Sequence, residues 1–208
     1  MTHVASPCRV MPWREHASVG GMAGEAARRR ASYQDVLDSP PHVVAEVISG
    51  VLYQSPRPGA PHAVAASALG EELGPPFKRG RGGPGGWMIL DEPELHLGED
   101  IVVPDLGGWR RERMPQVPDT VYFELSPDWV CEVLSQSTRA LDRGAKLRVY
   151  AEHGVSHVWL VEPLDRLLEV LRLDGASYRI MQSATGAETV RLEPFDAIEL
   201  ELAVLWAR

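Results

Sequence analysis

The run WVCEVL at residues 129–134 is apolar on both alternations of an extended chain, except for one carboxylate, Glu132. Side chains alternate between faces along a strand, so a run that is apolar on both parities belongs to a strand covered on both sides. The residues that follow narrow the fold further. From Thr138 to His153, Leu141, Ala145 and Val149 recur at helical spacing and Gly154 supplies a C-terminal stop, after which VSHVWLVEP returns to strand character. A strand, a helix and a strand in this order predict a right-handed crossover between parallel strands. The same run poses a question, because a buried carboxylate without a partner is strongly unfavourable or loses its charge.

The remaining elements are read in the same way. SYQDVLDSPP predicts a short helix with Ser32 as its N-cap, stopped by Pro40 and Pro41. VVAEVI and VLYQ, joined at Ser49 and Gly50, predict a hairpin. Pro61 to Leu73 predicts a helix on the spacing of Val64, Ala65, Ala68 and Leu69. GPPFKRGRGGPGG, residues 74–86, reads as a loop. WMILDEPELHL and DIVVPDLGGW read as two strands joined by the Gly98-Glu99-Asp100 turn, and the proline-rich stretch from Arg110 to Asp128 reads as a long surface loop or a short irregular helix. RLLEVLRL and SYRIM predict a second hairpin about Asp174 and Gly175, followed by short apolar segments.

At 208 residues the expectation is one domain, residues 31–208, preceded by a disordered extension over residues 1–30 within which Met22 is an alternative start. That extension has arginines but no continuous apolar core, so it does not read as a signal peptide. Apolar residues at 44% and charged residues at 24% are ordinary globular values, and no stretch is long and apolar enough to span a membrane. Cys8 and Cys131 are isolated, which argues against a disulfide framework or a CxxC metal site and for a cytoplasmic location. Cys131 reads as a core residue. The net charge of −8 argues against a broad nucleic-acid-binding face. Two local basic clusters remain, one at Lys78, Arg79 and Arg81 and one at Arg110, Arg111 and Arg113.

Glu132 has a candidate partner in Asp105, which follows the strand-like IVVP. If their strands are neighbours, both acids meet at one end of the sheet. Two close carboxylates repel unless a cation lies between them, and Mg²⁺ takes one or two carboxylates while keeping several waters. Glu46, inside VVAEVI, is a third acid in an apolar run. The chain has 19 arginines and only two lysines, Lys78 and Lys146. A lysine offers a compact point charge that arginine does not. Each residue also has a plainer reading. Asp142 and Lys146 form an ordinary helical surface pair, Asp105 is a turn residue, Glu46 lies on an edge strand, and His62 is a first-turn surface histidine. His153 and His157 have no metal-ligand partner at a useful spacing.

VPD, then EVL after a 27-residue step, then KLRVY on the next helix, resembles the PD-(D/E)xK nuclease superfamily. More narrowly, AEVISGVLY, PH, VVPDL, EVLSQST, DRGAKLRVYAEHGV and HVWLVEP resemble the Uma2 family, from about Tyr33 to about Leu173. The resemblance implies a restriction-endonuclease-like α/β (α+β) fold, a mixed β-sheet flanked by helices, and metal-dependent endonucleolytic cleavage of DNA. It further implies that Asp105 and Glu132 bind Mg²⁺, with Mn²⁺ as a substitute, and that the Val133 backbone carbonyl is an added ligand. Glu46 completes the acidic cluster, and Lys146 replaces the lysine that the superfamily motif places at the position of Leu134. The resemblance also implies His62 and Tyr150 as supporting residues. Ser49, where the family often has Asp, and Gln136, where it often has Pro, are smaller departures. Both basic loops are expected to hold the DNA backbone, and a homodimer would suit cleavage of both strands. The alternative is a degenerate member of the fold that binds nucleic acid or protein without cutting.

Overall fold

The computed structural model describes residues 29–206. The expectations for Cys8, Met22 and most of the N-terminal extension therefore lie outside the described residues. The chain begins with helix α1 (Tyr33–Leu37), where the Asp35 carboxylate accepts from the Ser32 backbone N–H at 2.7 Å, as the N-cap expectation required. Strands β1 (Val43–Ile48) and β2 (Val51–Pro56) form the predicted hairpin through Ser49 and Gly50. Helix α2 (Ala60–Leu73) follows, with a proline in its first turn where the missing N–H costs nothing. The segment read as a loop from residue 74 instead opens with a π-helical turn, Gly74–Lys78, which carries Phe77 into the core. In α2 the buried stripe is Ala65, Leu69 and Leu73, whereas Val64 is exposed.

The two long strand candidates each divide. WMILDEPELHL becomes β3 (Trp87–Asp91) and β4 (Leu95–Leu97), and DIVVPDLGGW becomes β5 (Asp100–Val102) and β6 (Leu106–Arg110). Pro93 and Pro104 sit at the divisions. A proline has no N–H for the ladder, so pairing stops there and the chain changes sheet. β4 and β5 join the hairpin in a four-stranded sheet of order β2-β1-β5-β4, which places β1 in its interior rather than at an edge.

The larger sheet holds β7 (Trp129–Val133), β8 (His157–Glu162), β9 (Leu167–Asp174) and β10 (Ser177–Thr185), with β3 and β6, in the order β10-β9-β8-β7-β6-β3. β7 and β8 are parallel, as the crossover predicts, and every other pair is antiparallel, so the sheet is mixed. The crossover is not one continuous helix. A short α3 (Arg139–Leu141) runs through a π turn (Asp142–Lys146) into α4 (Leu147–Glu152). This interruption changes the inward face. Leu141 and Ala145 are only half-buried, and Asp142, Lys146, Val149 and Tyr150 are buried.

Alternation along β7 separates two cores. Trp129, Cys131 and Val133 face a core with α2, β3 and the C-terminal residues, while Val130 faces the second core with α4 and the small sheet. Glu132 shares the parity of Val130. In β6, a Cβ on Gly108 would lie 2.9 Å from the Trp129 ring, so only glycine lets that indole cross the strand. The C-terminal apolar segments form β11 (Thr189–Val190), β12 (Leu200–Glu201) and a 3-10 turn (Leu202–Trp206). Between β11 and β12, Phe195 lies within 4.7–5.6 Å, centroid to centroid, of Phe77, Trp87, Trp129 and Trp159. Among the described residues no helix is long and apolar enough to cross a membrane.

Phe195 therefore fastens the C-terminal segment to the larger sheet. Phe195→Ala is expected to cost about 3–5 kcal/mol, the range for removing a large buried aromatic side chain, measured as a lower urea midpoint with an unchanged slope.

Candidate active site

The acids collect where the two sheets part. Leu106 of β6 pairs with Cys131 of β7, and continuing that register by one residue sets Asp105 across from Glu132. Asp105 is no longer in the ladder, so its side chain does what a strand would have done: Oδ2 accepts the Val133 N–H at 2.6 Å. In an extended strand the N–H and C=O of one residue point to the same side, so the Val133 carbonyl is also turned toward Asp105. The other Asp105 oxygen, Oδ1, lies 3.0 Å from His62 Nε2 in the first turn of α2. His62 is therefore no free surface residue, and among the described residues its Nδ1 is buried without a hydrogen-bond partner.

Glu46 reaches the same place from the small sheet. The chain leaving β5 exposes the Val103 peptide, whose N–H donates to Glu46 Oε1 at 2.8 Å. Lys146 closes the group from the crossover helix. Its Nζ lies 2.8 Å from Glu132 Oε1, 3.0 Å from Glu46 Oε1 and 3.4 Å from Asp142 Oδ1. The ammonium also donates to the Val103 carbonyl at 3.4 Å. Tyr150, one turn on from Lys146, donates its hydroxyl to Glu132. Lys146 is only 2% exposed, so the Asp142–Lys146 pair is real but lies inside the protein, contrary to the surface-pair reading.

Asp142 is the residue that sequence reasoning left out of the site. Its four-residue spacing from Lys146 was visible, but the π turn that rotates both inward was not. Cys131 is a fully buried core residue whose thiol is pushed well up by burial, which leaves it no nucleophilic role. The two basic loops fare differently. Arg113 is held by Asp128 at 2.8 Å and Arg110 lies over the Trp87 ring, so these two serve the fold. Lys78 and Arg79 line an open cleft.

Three carboxylates share one ammonium, and burial is the largest influence on the acids. Burial pushes the Glu132 carboxyl well above the usual carboxylate range despite the opposing pull of Lys146, with Asp142, Asp105 and Glu46 adding repulsion. Asp142 is raised by burial in the same way. For Lys146 burial acts to discharge the amine, yet the combined attraction of Glu132 and Glu46, with smaller contributions from Tyr150 and Asp142, holds its pKa well above the ordinary lysine value. Tyr150 is pushed up by burial and by Glu132.

The cluster borders a small cavity of about 60 Å³ whose walls include Glu46, Asp105, Glu132, Val133, Asp142 and Lys146. Among the described residues no three His, Cys, Asp or Glu side chains converge as a ready-made metal site. What Asp105, Glu132 and the Val133 carbonyl offer is an oxygen-only donor set beside surplus negative charge. That suits a hard divalent cation, which needs one or two carboxylates and retains water. His62 and Asp105 also belong to the wall of a larger cleft of about 770 Å³, so the buried cluster adjoins an open one.

No curated protein matches the chain. Among solved structures, one described as "a putative nuclease belonging to DUF820", from Anabaena variabilis, is similar to it with a TM-score of 0.65 and 19% identity. The match covers 85% of this chain and 97% of the other, and at that identity it speaks for a shared fold. The family model Uma2, described as "Putative restriction endonuclease", matches residues 30–204, nearly the whole described structure. The chain belongs to the Uma2 family.

Proposed function

We propose that the protein is a metal-dependent endonuclease that hydrolyses DNA phosphodiester bonds at the Asp105–Glu132–Lys146 cluster. The observation that carries this reading is the position of Lys146. A lysine displaced from the motif position, now Leu134, could have pointed to solvent, yet its ammonium lies within 3.0 Å of both Glu132 and Glu46. Family membership supports the reaction class, and the oxygen-only donors of Asp105, Glu132 and Val133 support Mg²⁺ or Mn²⁺ as the cofactor. When bound there, such an ion would acidify a water and polarise the scissile phosphate.

The residues of the chain have separable tasks. Asp105 and Glu132 would hold the cation, with Asp105 kept in place by the Val133 N–H and His62. Lys146 supplies a fixed positive charge beside the phosphorane-like transition state, where preorganised charge is worth most. Glu46 and Asp142 hold Lys146, and Tyr150 orients Glu132. In the reaction, the water oxygen bonds to phosphorus, the bond from phosphorus to the 3′ oxygen breaks, the water proton passes to solvent and the 3′ oxygen gains a proton. The products carry a 5′-phosphate and a 3′-hydroxyl.

Incubation of the purified full-length protein with supercoiled plasmid and with single-stranded DNA, in Mg²⁺ or Mn²⁺, tests the reading. Wild type is expected to nick or cut, and Asp105→Asn and Glu132→Gln are each expected to lose at least about 100-fold in rate. A folded wild-type protein that retains DNA binding but cuts under neither metal would overturn the proposal in favour of a non-cutting binding module. Lys146→Met and Asp105→Asn, compared, separate folding from catalysis. Lys146→Met leaves three buried acids without their cation, and the loss of one partner from a buried ion pair costs about 3–5 kcal/mol. The urea midpoint of this variant should fall well below wild type, while Asp105→Asn, nearer the surface, should unfold close to wild type and still not cut.

A further inference from the structure

The larger cleft runs between α2 and the edge strand β3. A line of residues four apart, His62, Ala66, Gly70 and Gly74, winds along the helix to Lys78, and all five line the cleft. The small side chains in the middle leave it open. At its inner end stand His62 and Asp105, and at its outer end stand Lys78 and Arg79. Sixteen residues of largely helical rise separate the two ends, a distance of about 24 Å. The chain has only two lysines, and one lies in the buried cluster while the other lies at the far end of the cleft that adjoins it.

The outer end is rigidly placed. Phe77 is buried against Phe195, which fixes the residue before Lys78. The turn is closed by backbone bonds from Arg79 N–H to Gly74 at 3.1 Å, Arg81 N–H to Pro75 at 2.8 Å and Gly85 N–H to Pro76 at 2.8 Å. Arg113 is already paired with Asp128, whereas among the described residues no carboxylate pairs with Lys78 or Arg79. Between the two ends the lining includes Glu71 and Asp91, which repel phosphate. A polyanionic strand is therefore held at the ends of the cleft, not along its middle.

We infer that the Lys78–Arg79 turn is a phosphate-binding subsite for the nucleic-acid strand that enters the acidic centre. It takes a backbone phosphate about seven nucleotides from the reacting one, at the 3.4 Å spacing of a stacked strand. The inference rests on the nuclease reading and adds the direction in which the strand leaves the centre. In the second basic loop Arg110 and Arg113 are committed to the fold and Arg111 donates to the Lys78 carbonyl at 3.4 Å, so the phosphate contact is assigned to the Lys78–Arg79 turn.

The test is equilibrium binding of a labelled DNA single strand by the full-length protein in EDTA, where cleavage cannot intervene, over a series of salt concentrations. The double variant Lys78→Ala/Arg79→Ala is expected to reduce the slope of log affinity against log salt by about 0.7, the value for one lost phosphate contact on a single strand. Arg81→Ala, outside the cleft lining, is expected to leave the slope unchanged. A double variant with the wild-type slope on long strands overturns the subsite. Cleavage assays on the same proteins separate the two ideas. A wild type that binds with the Lys78–Arg79-dependent slope and never cuts overturns the nuclease reading alone. A wild type that cuts, beside a double variant of unchanged slope and KM, overturns the subsite alone.

Discussion

The Lys146 ammonium is the interaction on which the centre of the protein depends. It meets Glu46 from β1, Glu132 from β7 and Asp142 from its own helix, so one charge ties together the small sheet, the large sheet and the crossover. Each carboxylate would be untenable in this apolar setting alone, since a buried charge needs a partner and hydrogen bonds to be tolerated. Yet one cation cannot neutralise three acids. Burial first, and repulsion from Asp142, Asp105 and Glu46 after it, keep the Glu132 carboxyl raised even beside Lys146.

The location of this cluster follows from two prolines. Pro93 and Pro104 stop the β-ladders at neighbouring points, and there the chain crosses twice between the two sheets, joined by the Glu92 N–H to Asp105 carbonyl bond at 3.0 Å. Buried peptide groups that lose a strand partner must find another. The Val103 peptide finds Glu46 and Lys146, and the Val133 N–H finds Asp105. Interrupting the ladder thus both frees backbone groups and supplies the side chains that satisfy them, and the parting of the sheets leaves the cavity between. The adjoining cleft has a separate cause, the small residues along one line of α2.

Much of this was legible in the residues. The β1–β2 and β9–β10 hairpins, the buried strand β7 and its parallel neighbour β8 were all read from local alternation and turn chemistry, which residues a few positions apart carry by themselves. Glu46 and Glu132 stood out as acids in apolar runs, Asp105 as a candidate partner for Glu132 and Lys146 as one of two lysines beside 19 arginines, and the structure brings them together. Other features were not legible. The π turn at Asp142–Lys146 obeys no simple apolar period, so the inward turn of Asp142 was missed and Leu141 and Ala145 were given too deep a place. Phe195 stands almost alone in a polar stretch, and its four aromatic neighbours come from distant strands and turns. The loops at Lys78 and Arg110 looked alike as basic clusters, and only Asp128 and Trp87 distinguish them.

The sequence by itself determined the order of the elements, the parallel crossover and the identity of the unusual acids and lysine. These depend on periodicity, caps and breakers acting within a few residues. The tertiary structure alone decided that two predicted strands would be shared between sheets, that Asp142 and Lys146 would face inward, and that one basic loop and not the other would border the cleft. Glu46 and Lys146 are a hundred positions apart in the chain, and their meeting is set by strand order and register across both sheets. Such a contact is chosen by the packing of the whole molecule, because only there does a buried charge find its partner.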